Sequence, residues 1–280
     1  MKMIWWFIFR SLELDWQFCL LHLPDTLKLE FLLKKYYLLV VLSIKKIINM
    51  PISGKIHIFG RTYHFNDQFG ISFLQSVYVD NAFMEGYIKK GSTIIDIGAN
   101  IGQFNFFSYS YLSAKHVCSV EPIEEAYRFL KKNDPSSVHL AVGISKTMKM
   151  HIPQTTLLSS FFPYSDKDRI EVVPGMRLDD IDCVRKTNII DLLKIDTEGS
   201  EYTVLISAKQ TLKKCRYVLI EASLHRPNSG DLGKVISYLT HFRHPFIIER
   251  IGRQYEEEGK ITSVDILFKQ KSAYATRYER

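Results

Sequence analysis

A chain of 280 residues that is 46% hydrophobic can form one large domain, or one domain with an appendage, around a sizeable core, which excludes an intrinsically disordered protein. The formal net charge of +7 permits an anionic partner, but the cationic residues are scattered, so we expect no specific nucleic-acid binding. The cysteines lie far apart without a Cys-x-x-Cys pair, which argues against a zinc site and a disulfide framework and favours a reducing, cytoplasmic location. They are Cys19, Cys118, Cys183 and Cys215.

Residues 1–54 are predicted to form an N-terminal helical appendage. Its two apolar runs, residues 3–9 and 36–44, are flanked by charges and are shorter than the about 20 apolar residues of a membrane-spanning helix. We favour one or two amphipathic helices that dock on the main domain or on a second copy of the chain, as in a homo-oligomer. The alternative is an interfacial helix that makes the protein peripheral to a membrane.

Residues 55–90 are predicted to form a small hairpin around Gly60 and a helix over residues 70–89 that leads into the core. From residue 91 to 280, short apolar runs alternate with helical patterns such as residues 103–113 and 123–133. This alternation is typical of an α/β domain whose parallel sheet has helices on both faces. The last two runs can pair as an antiparallel hairpin. We therefore predict a seven-stranded sheet, with six strands in one direction and one reversed, from residues 93–97, 116–120, 137–142, 188–195, 216–221, 246–250 and 263–268.

The most informative motif follows the first of these strands and contains Asp96, Gly98, Asn100 and Gly102. Gly98 suits a turn whose backbone angles are closed to other residues, and Gly102 allows close packing of the following helix. A dinucleotide loop would read Gly-x-Gly-x-x-Gly, and Asp96 would repel a pyrophosphate, so a nicotinamide enzyme is disfavoured. An acid in this place could instead accept a hydrogen bond from an ammonium group, such as that of S-adenosylmethionine.

Further acids end the neighbouring strands. Glu121 closes the second strand, where it could bind the ribose diol of the same cofactor, and Glu221 closes another. Asp196, Glu198 and Glu201 lie together after a third apolar strand. Since ligands of open parallel sheets bind at the carboxyl ends of the strands, these acids should face one crevice. Capping of the following helix is the alternative role for Glu198 and Glu201.

Two further segments are open to more than one interpretation. Residues 143–175, which include Ser160, interrupt the alternation with prolines and aromatic residues and are either an active-site cover or a surface loop. His225 lies four residues after Glu221 and is a candidate for proton transfer. A lone histidine is, however, more often a surface or core residue.

Several motifs occur in the order typical of FkbM-type methyltransferases. They are Ile-Asp-Ile-Gly-Ala-Asn-Ile-Gly-Gln at 95–103, Glu-Pro at 121–122, Arg-Leu-Asp-Asp at 177–180, Leu-Lys-Ile-Asp-Thr-Glu-Gly-Ser-Glu at 193–201 and the strand ending at Glu221. The chain resembles this family over roughly residues 85–225. The resemblance implies a class I S-adenosylmethionine-dependent methyltransferase with a Rossmann-like fold. Its cofactor contacts would be Asp96, Gly98, Ala99, Asn100, Gly102, Glu121, Pro122, Ala141 and Asp196.

The resemblance also implies methyl transfer to a hydroxyl oxygen of a sugar, glycan or secondary metabolite. A sulfonium methyl group is already electrophilic, so the protein must align the acceptor for in-line displacement and remove its proton. No metal is required, and the alternative is that the acids bind a divalent cation. A non-catalytic protein that binds a nucleotide-type ligand and a membrane-surface interaction protein are rival interpretations. The candidate bases are Asp196, Glu198 and His225, and Glu201, Glu221 and Ser160 are assigned to the acceptor.

Overall fold

The structure is a computed structural model that describes residues 2–48, 50, 53–66, 70–152, 169–224, 232–257 and 259–271. Its helices are α1 (Lys2–Cys19), α2 (Asp25–Ile47), α3 (Gly70–Asn81), α4 (Gln103–Ser110), α5 (Glu124–Asn133), α6 (Asp182–Arg185), α7 (Glu201–Ile206) and α8 (Leu232–Thr240). Its strands are β1 (Gly54–Ile58), β2 (Arg61–Phe65), β3 (Thr93–Ile97), β4 (His116–Glu121), β5 (Val138–His139), β6 (Ala141–Val142), β7 (Thr147–Ile152), β8 (Arg169–Met176), β9 (Ile190–Ile195), β10 (Cys215–Ser223), β11 (Phe246–Glu257) and β12 (Lys260–Gln270). Among these residues, no helix has the length and apolarity needed to cross a membrane.

Seven strands form the main sheet in the order β11-β12-β10-β9-β3-β4-β5. Neighbouring strands from β10 to β5 pair in parallel, whereas β12 is antiparallel to both β10 and β11. Six strands therefore share one direction and one is reversed, which confirms the predicted seven-stranded, Rossmann-like α/β fold. The parallel strands end at one edge of this sheet, and that edge carries the candidate site.

Side chains that alternate along the central strands build one core on each face of the sheet. Ile94 and Leu192 belong to the first core, and their neighbours Ile95 and Leu193 belong to the second. All four are fully buried, as expected for parallel strands covered on both sides. Residues of α1 to α4 contribute to the first core and residues of α7 and α8 to the second, so helices cover both faces.

The N-terminal helices pack onto the first face of the domain. The ring centroid of Phe18 in α1 lies 4.6 Å from that of Phe31 in α2 and 6.1 Å from that of Tyr78 in α3. Lys35 of α2 is fully buried and pairs with Asp15 of α1 at 2.6 Å. Removal of one partner from a buried ion pair is strongly destabilising, so this pair fixes the two helices against each other.

β1 and β2 form the predicted hairpin around a two-residue turn. Phe59 and Gly60 both have a positive φ, 52° and 71°, as a type I′ turn requires. Asn133 at the end of α5 donates to the His64 carbonyl oxygen at 2.9 Å and accepts from the His64 N–H at 2.7 Å. The same amide group donates to the Ile101 carbonyl oxygen at 2.7 Å. One side chain thus anchors both the hairpin and the loop after β3.

Some element boundaries differ from the prediction. The predicted strand over residues 137–142 is split, because β5 stays beside β4 whereas β6 pairs with β8 in a separate three-stranded sheet. Within the predicted loop over residues 143–175, residues 147–152 and 169–175 are strand, because β7 and β8 pair antiparallel. The predicted helix over residues 103–113 ends at Ser110, and Ser113 has a positive φ of 53°. Residues 153–168, with Ser160, lie outside the described residues.

The expectation that the cysteines form no disulfide was wrong, since Cys118 in β4 and Cys183 in α6 form one. Their Cα atoms lie 6.3 Å apart although 65 residues separate them along the chain. Both side chains pack in the second core, where α6 covers the sheet. This contact joins distant segments, so the cysteine spacing does not reveal it. Cys19 and Cys215 are free.

Candidate active site

The glycine-rich loop (residues 96–102) is in direct contact with the loop that follows β9. The Asp196 N–H donates to the Ile97 carbonyl oxygen at 3.0 Å. Gly98 has a φ of 81° and lies so close that a Cβ atom there would be 1.8 Å from the Asp196 carbonyl oxygen. Asn100 and Gly102 also have a positive φ, 51° and 93°. Position 98 therefore requires glycine for steric reasons as well as for its backbone angles.

Asp96 has a fully buried carboxylate whose two oxygens accept no hydrogen bond within the described residues. Burial raises its pKa to about 6, although the Lys194 ammonium opposes this shift. The Lys194 Nζ atom lies 3.7 Å from Asp96 Oδ1, which is an ion pair too long for a hydrogen bond. Buried polar groups nearly always have a hydrogen-bond partner. This carboxylate is therefore suited to accept a hydrogen bond from a bound ligand.

Lys194 is a site residue that the sequence prediction missed. Its Nζ atom donates to Asp196 Oδ2 at 2.8 Å and lies 5.3 Å from the ring centroid of Phe104. Burial alone would lower the pKa of Lys194, but the carboxylates of Asp196 and Asp96 raise it above its ordinary value. The ammonium therefore stays charged. The sequence feature that could have identified Lys194 is its position in the apolar run of β9. Charged residues are rare in buried parallel strands, so a lysine there indicates a special role.

Glu121 connects the end of β4 to the glycine-rich loop. Its carboxylate oxygens accept from the backbone N–H groups of Asn100 at 2.8 Å and Ile123 at 2.9 Å. Burial raises the pKa of Glu121 to about 7, although both N–H donors favour the ionised form. A carboxylate has about four acceptor sites, so Glu121 keeps the capacity to bind a ligand hydroxyl.

The other predicted cofactor residues have structural partners of their own. The Ala99 N–H donates to the Val120 carbonyl oxygen at 3.0 Å, and the Pro122 carbonyl oxygen lies 2.8 Å from His139 Nε2. Ala141 is buried in β6. Several N–H groups of the glycine-rich loop are thus used within the chain. A ligand carboxylate would instead fit the first turn of α4, whose N–H groups have no partner within the helix.

Three carboxylates converge beside the glycine-rich loop, and we call them the acidic rim. Asp196, Glu198 and Glu221 are half-buried, and each offers one oxygen within 4.8 Å of the others. Burial, together with the negative charges of Asp196 and Glu198, raises the pKa of Glu221 well above its ordinary value. The acids after β9 and the acid near the end of β10 therefore meet, as the sheet topology predicts. Three such oxygens could also hold a divalent cation.

Strand β12 adds residues that the sequence prediction did not include. Asp265 lies opposite Glu221 in the antiparallel register, and burial raises the pKa of Asp265 to about 7. The Ser263 hydroxyl donates to Glu221 Oε1 at 2.9 Å. The alternation of polar and apolar residues at the start of β12 was the available signal, since it indicates a strand with one polar face.

Glu201, a predicted acceptor residue, has a fully buried side chain at the start of α7. One carboxylate oxygen accepts from the Gly199 N–H at 2.7 Å and from the Thr197 hydroxyl at 3.3 Å. Burial raises the pKa of Glu201 to about 7. Its other oxygen, Oε2, is buried without a hydrogen-bond partner among the described residues. His225, like Ser160, lies outside the described residues.

A comparison with protein families explains this arrangement. Residues 96–252, more than half of the chain, match the model of the methyltransferase FkbM domain. The chain belongs to the FkbM methyltransferase family. This FkbM methyltransferase uses S-adenosylmethionine as its methyl donor. The residues present fit that donor, because the carboxylate of Asp96 has no hydrogen-bond partner in the described part of the chain and suits the ammonium of the methionine part.

Solved methyltransferase structures resemble this FkbM methyltransferase only distantly. The FkbM methyltransferase of Methylobacillus flagellatus KT is 15% identical, with a TM-score of 0.41 over 72% of this chain and 54% of that chain. M. capricolum TrmK in complex with S-adenosyl-homocysteine is 12% identical, with a TM-score of 0.43 over 71% of this chain and 68% of that chain. M. jannaschii TYW2 in complex with AdoMet is 12% identical, with a TM-score of 0.43 over 78% of this chain and 86% of that chain. No curated protein matches the chain.

Proposed function

We propose that this FkbM methyltransferase transfers a methyl group to a hydroxyl oxygen of a sugar, glycan or secondary metabolite. The observation that carries this proposal is the convergence of Asp196, Glu198 and Glu221 within 4.8 Å, next to the loop that would hold the donor. A hydroxyl group is a poor nucleophile at neutral pH and needs a positioned base. The acidic rim supplies carboxylates in that place.

The donor would be held by residues at the ends of β3 and β4. The buried carboxylate of Asp96 would accept from the donor's ammonium group, and Glu121 would accept from its ribose hydroxyls. The first turn of α4 would bind the donor's carboxylate. When bound, S-adenosylmethionine supplies an electrophilic methyl group. Alignment of the acceptor oxygen with that group can contribute about 7 to 11 kcal/mol to lowering the barrier.

We assign the role of base to Glu198. Asp196 is less suitable, because its carboxylate already accepts a hydrogen bond from Lys194 at 2.8 Å. Glu198 lies beside Asp196 and Glu221 in the acidic rim, so its carboxylate is placed to take the acceptor's proton. The acceptor's proton would pass to Glu198 as the acceptor's oxygen bonds to the methyl carbon in line, and the carbon–sulfur bond would break to release S-adenosylhomocysteine.

The proposal is tested with a panel of acceptors and methyl-labelled donor. The panel contains monosaccharides, oligosaccharides, hydroxylated secondary metabolites and, as a separate arm, transfer RNA. We expect S-adenosylhomocysteine to form only with a saccharide or hydroxylated-metabolite acceptor and the label to appear as an O-methyl group by NMR. Labelling of RNA, or of a nitrogen or carbon atom, would contradict the proposal. Donor binding without turnover on any acceptor would favour a non-catalytic binding protein.

A further inference from the structure

Helix α2 exposes a continuous apolar stripe on the side that faces away from the core. At 3.6 residues per turn, six side chains that are between 53% and 80% exposed fall within one narrow sector of the helix surface. The stripe extends for about 27 Å along the helix. Its members are Leu29, Leu33, Tyr37, Val40, Ile44 and Ile47.

The side chains of this stripe do not belong to the buried core of the protein. The buried residues of α2 are Phe31, Lys35 and Leu42, and they lie on the opposite face of the helix. Helix α2 is therefore apolar on both its inner and its outer face. Single exposed apolar residues are ordinary, but an aligned set of this size marks an interaction surface.

Helix α1, which packs beside α2, also exposes apolar side chains. In α1, Leu12 and Trp16 are 53% and 67% exposed and lie one turn apart. The buried pair of Asp15 and Lys35 holds α1 beside α2, and the Gln75 amide of α3 donates to Asp15 at 2.8 Å. The exposed apolar side chains of both helices are thus carried by a fixed scaffold.

The balance of charges on α2 favours an anionic surface. The acids of α2, Asp25 and Glu30, are each paired with a lysine, at 3.1 Å and 2.5 Å. At the end of the helix, Lys45 and Lys46 have no acidic partner among the described residues. The whole chain carries a formal charge of +7, which opposes self-association and favours attraction to an anionic partner.

We propose that the outer faces of α1 and α2 dock on an anionic phospholipid surface. Amphipathic helices with lysines beside an apolar face lie in the plane of such an interface. Trp16 and Tyr37 suit the boundary between the lipid headgroups and the acyl chains, because their rings combine an apolar body with a polar group. Since the inner face of α2 is packed into the protein, the helix rests on the lipid while the methyltransferase domain stays in water.

Intrinsic fluorescence tests this proposal directly, because all three tryptophans of the chain lie in α1. The wild-type protein is mixed with vesicles of phosphatidylcholine, with or without phosphatidylglycerol. We expect a blue shift and quenching by brominated acyl chains, stronger with phosphatidylglycerol and weaker in high salt. An unchanged spectrum, together with failure to float with either vesicle, would overturn the proposal.

Variants separate lipid binding from other causes. The double variant Val40→Glu/Ile44→Glu should reduce vesicle flotation at least about tenfold, because it places two charges on the outer stripe that would enter the lipid. The matched control is Ile189→Glu/Ile251→Glu, whose side chains are 53% and 58% exposed elsewhere on the surface and should leave flotation unchanged. Equal loss in both variants would overturn the proposal. A wild-type dimer that Val40→Glu/Ile44→Glu dissociates in sedimentation velocity would do the same, since a second copy would then cover the stripe.

Discussion

A side chain at Gly98 would collide with the backbone of Asp196, because its Cβ atom would lie 1.8 Å from the Asp196 carbonyl oxygen. Gly98→Ala should therefore reduce the free energy of unfolding by about 2 to 4 kcal/mol, through the clash and a strained φ together. Gly91→Ala is the control, since Gly91 also has a positive φ, 82°, but no atom lies within 4 Å of the added methyl group. Its cost should be about 1 kcal/mol. Urea unfolding followed by circular dichroism measures both, and equal costs would contradict the steric argument.

Binding of S-adenosylhomocysteine should depend on the ionisation of Asp96. Burial raises the pKa of Asp96 to about 6, and only the ionised carboxylate can pair with the ligand's ammonium group. Affinity should therefore rise as pH increases through 6, and fall about tenfold for each pH unit below it. Asp96→Asn should bind weakly at every pH and lose this dependence. Isothermal titration calorimetry measures the affinity at each pH. Asp180→Asn is the control and should behave as wild type, because Asp180 is exposed.

Removal of Lys194 should expose the repulsion between Asp96 and Asp196. Lys194→Met leaves two acids without their cation, and we expect a loss of about 3 kcal/mol of unfolding free energy at neutral pH. The loss should shrink near about pH 5, because an acid with a raised pKa destabilises the fold only as pH rises through that pKa. The double variant Lys194→Met/Asp96→Asn should recover part of the stability. Additive losses in urea unfolding would show that the two residues do not interact.

Glu198→Gln should separate chemistry from donor binding. The amide keeps the size of the side chain but cannot take a proton, so kcat should fall by about 10² to 10⁴. The affinity for S-adenosylhomocysteine should stay close to that of wild type. Glu201→Gln is the comparison, because the buried Glu201 supports the turn before α7 and its change should lower thermal stability as well. An unchanged kcat in Glu198→Gln would reassign the base.

Methyl transfer should persist in the presence of EDTA. A carboxylate base needs no metal, although the oxygens of Asp196, Glu198 and Glu221 lie within 4.8 Å and could hold a divalent cation. Turnover measured before and after dialysis against EDTA checks this. Loss of activity that Mg²⁺ or Ca²⁺ restores would favour the metal alternative.

The sequence contains most of the information for the sheet but little for contacts between distant segments. The runs around Ile94 and Leu192 predict buried strands, because runs rich in Ile and Leu are typical of parallel strands covered on both faces. Asp96 and Glu121 could be placed at one edge, since parallel strands end together. The disulfide between Cys118 and Cys183 could not, because strand order along the chain does not say which helix covers which strand.

In the candidate site, too, some contacts could be predicted from the sequence and others could not. The convergence of Asp196 and Glu221 follows from two adjacent parallel strands, so their proximity was predictable. The position of Lys194 between two carboxylates depends on the side to which one residue of β9 points. The burial of Glu201 depends on how the turn at Gly199 closes, which single-sequence patterns do not determine.

The hydrogen bond from the Asp196 N–H to the Ile97 carbonyl oxygen has a consequence for engineering. It joins the segment that would receive the donor to the segment that carries the proposed base, and Gly98 leaves no free space between them. A chimera that exchanges only one of these segments with a relative would create a mismatched backbone. Both would have to be transplanted together to obtain a working hybrid.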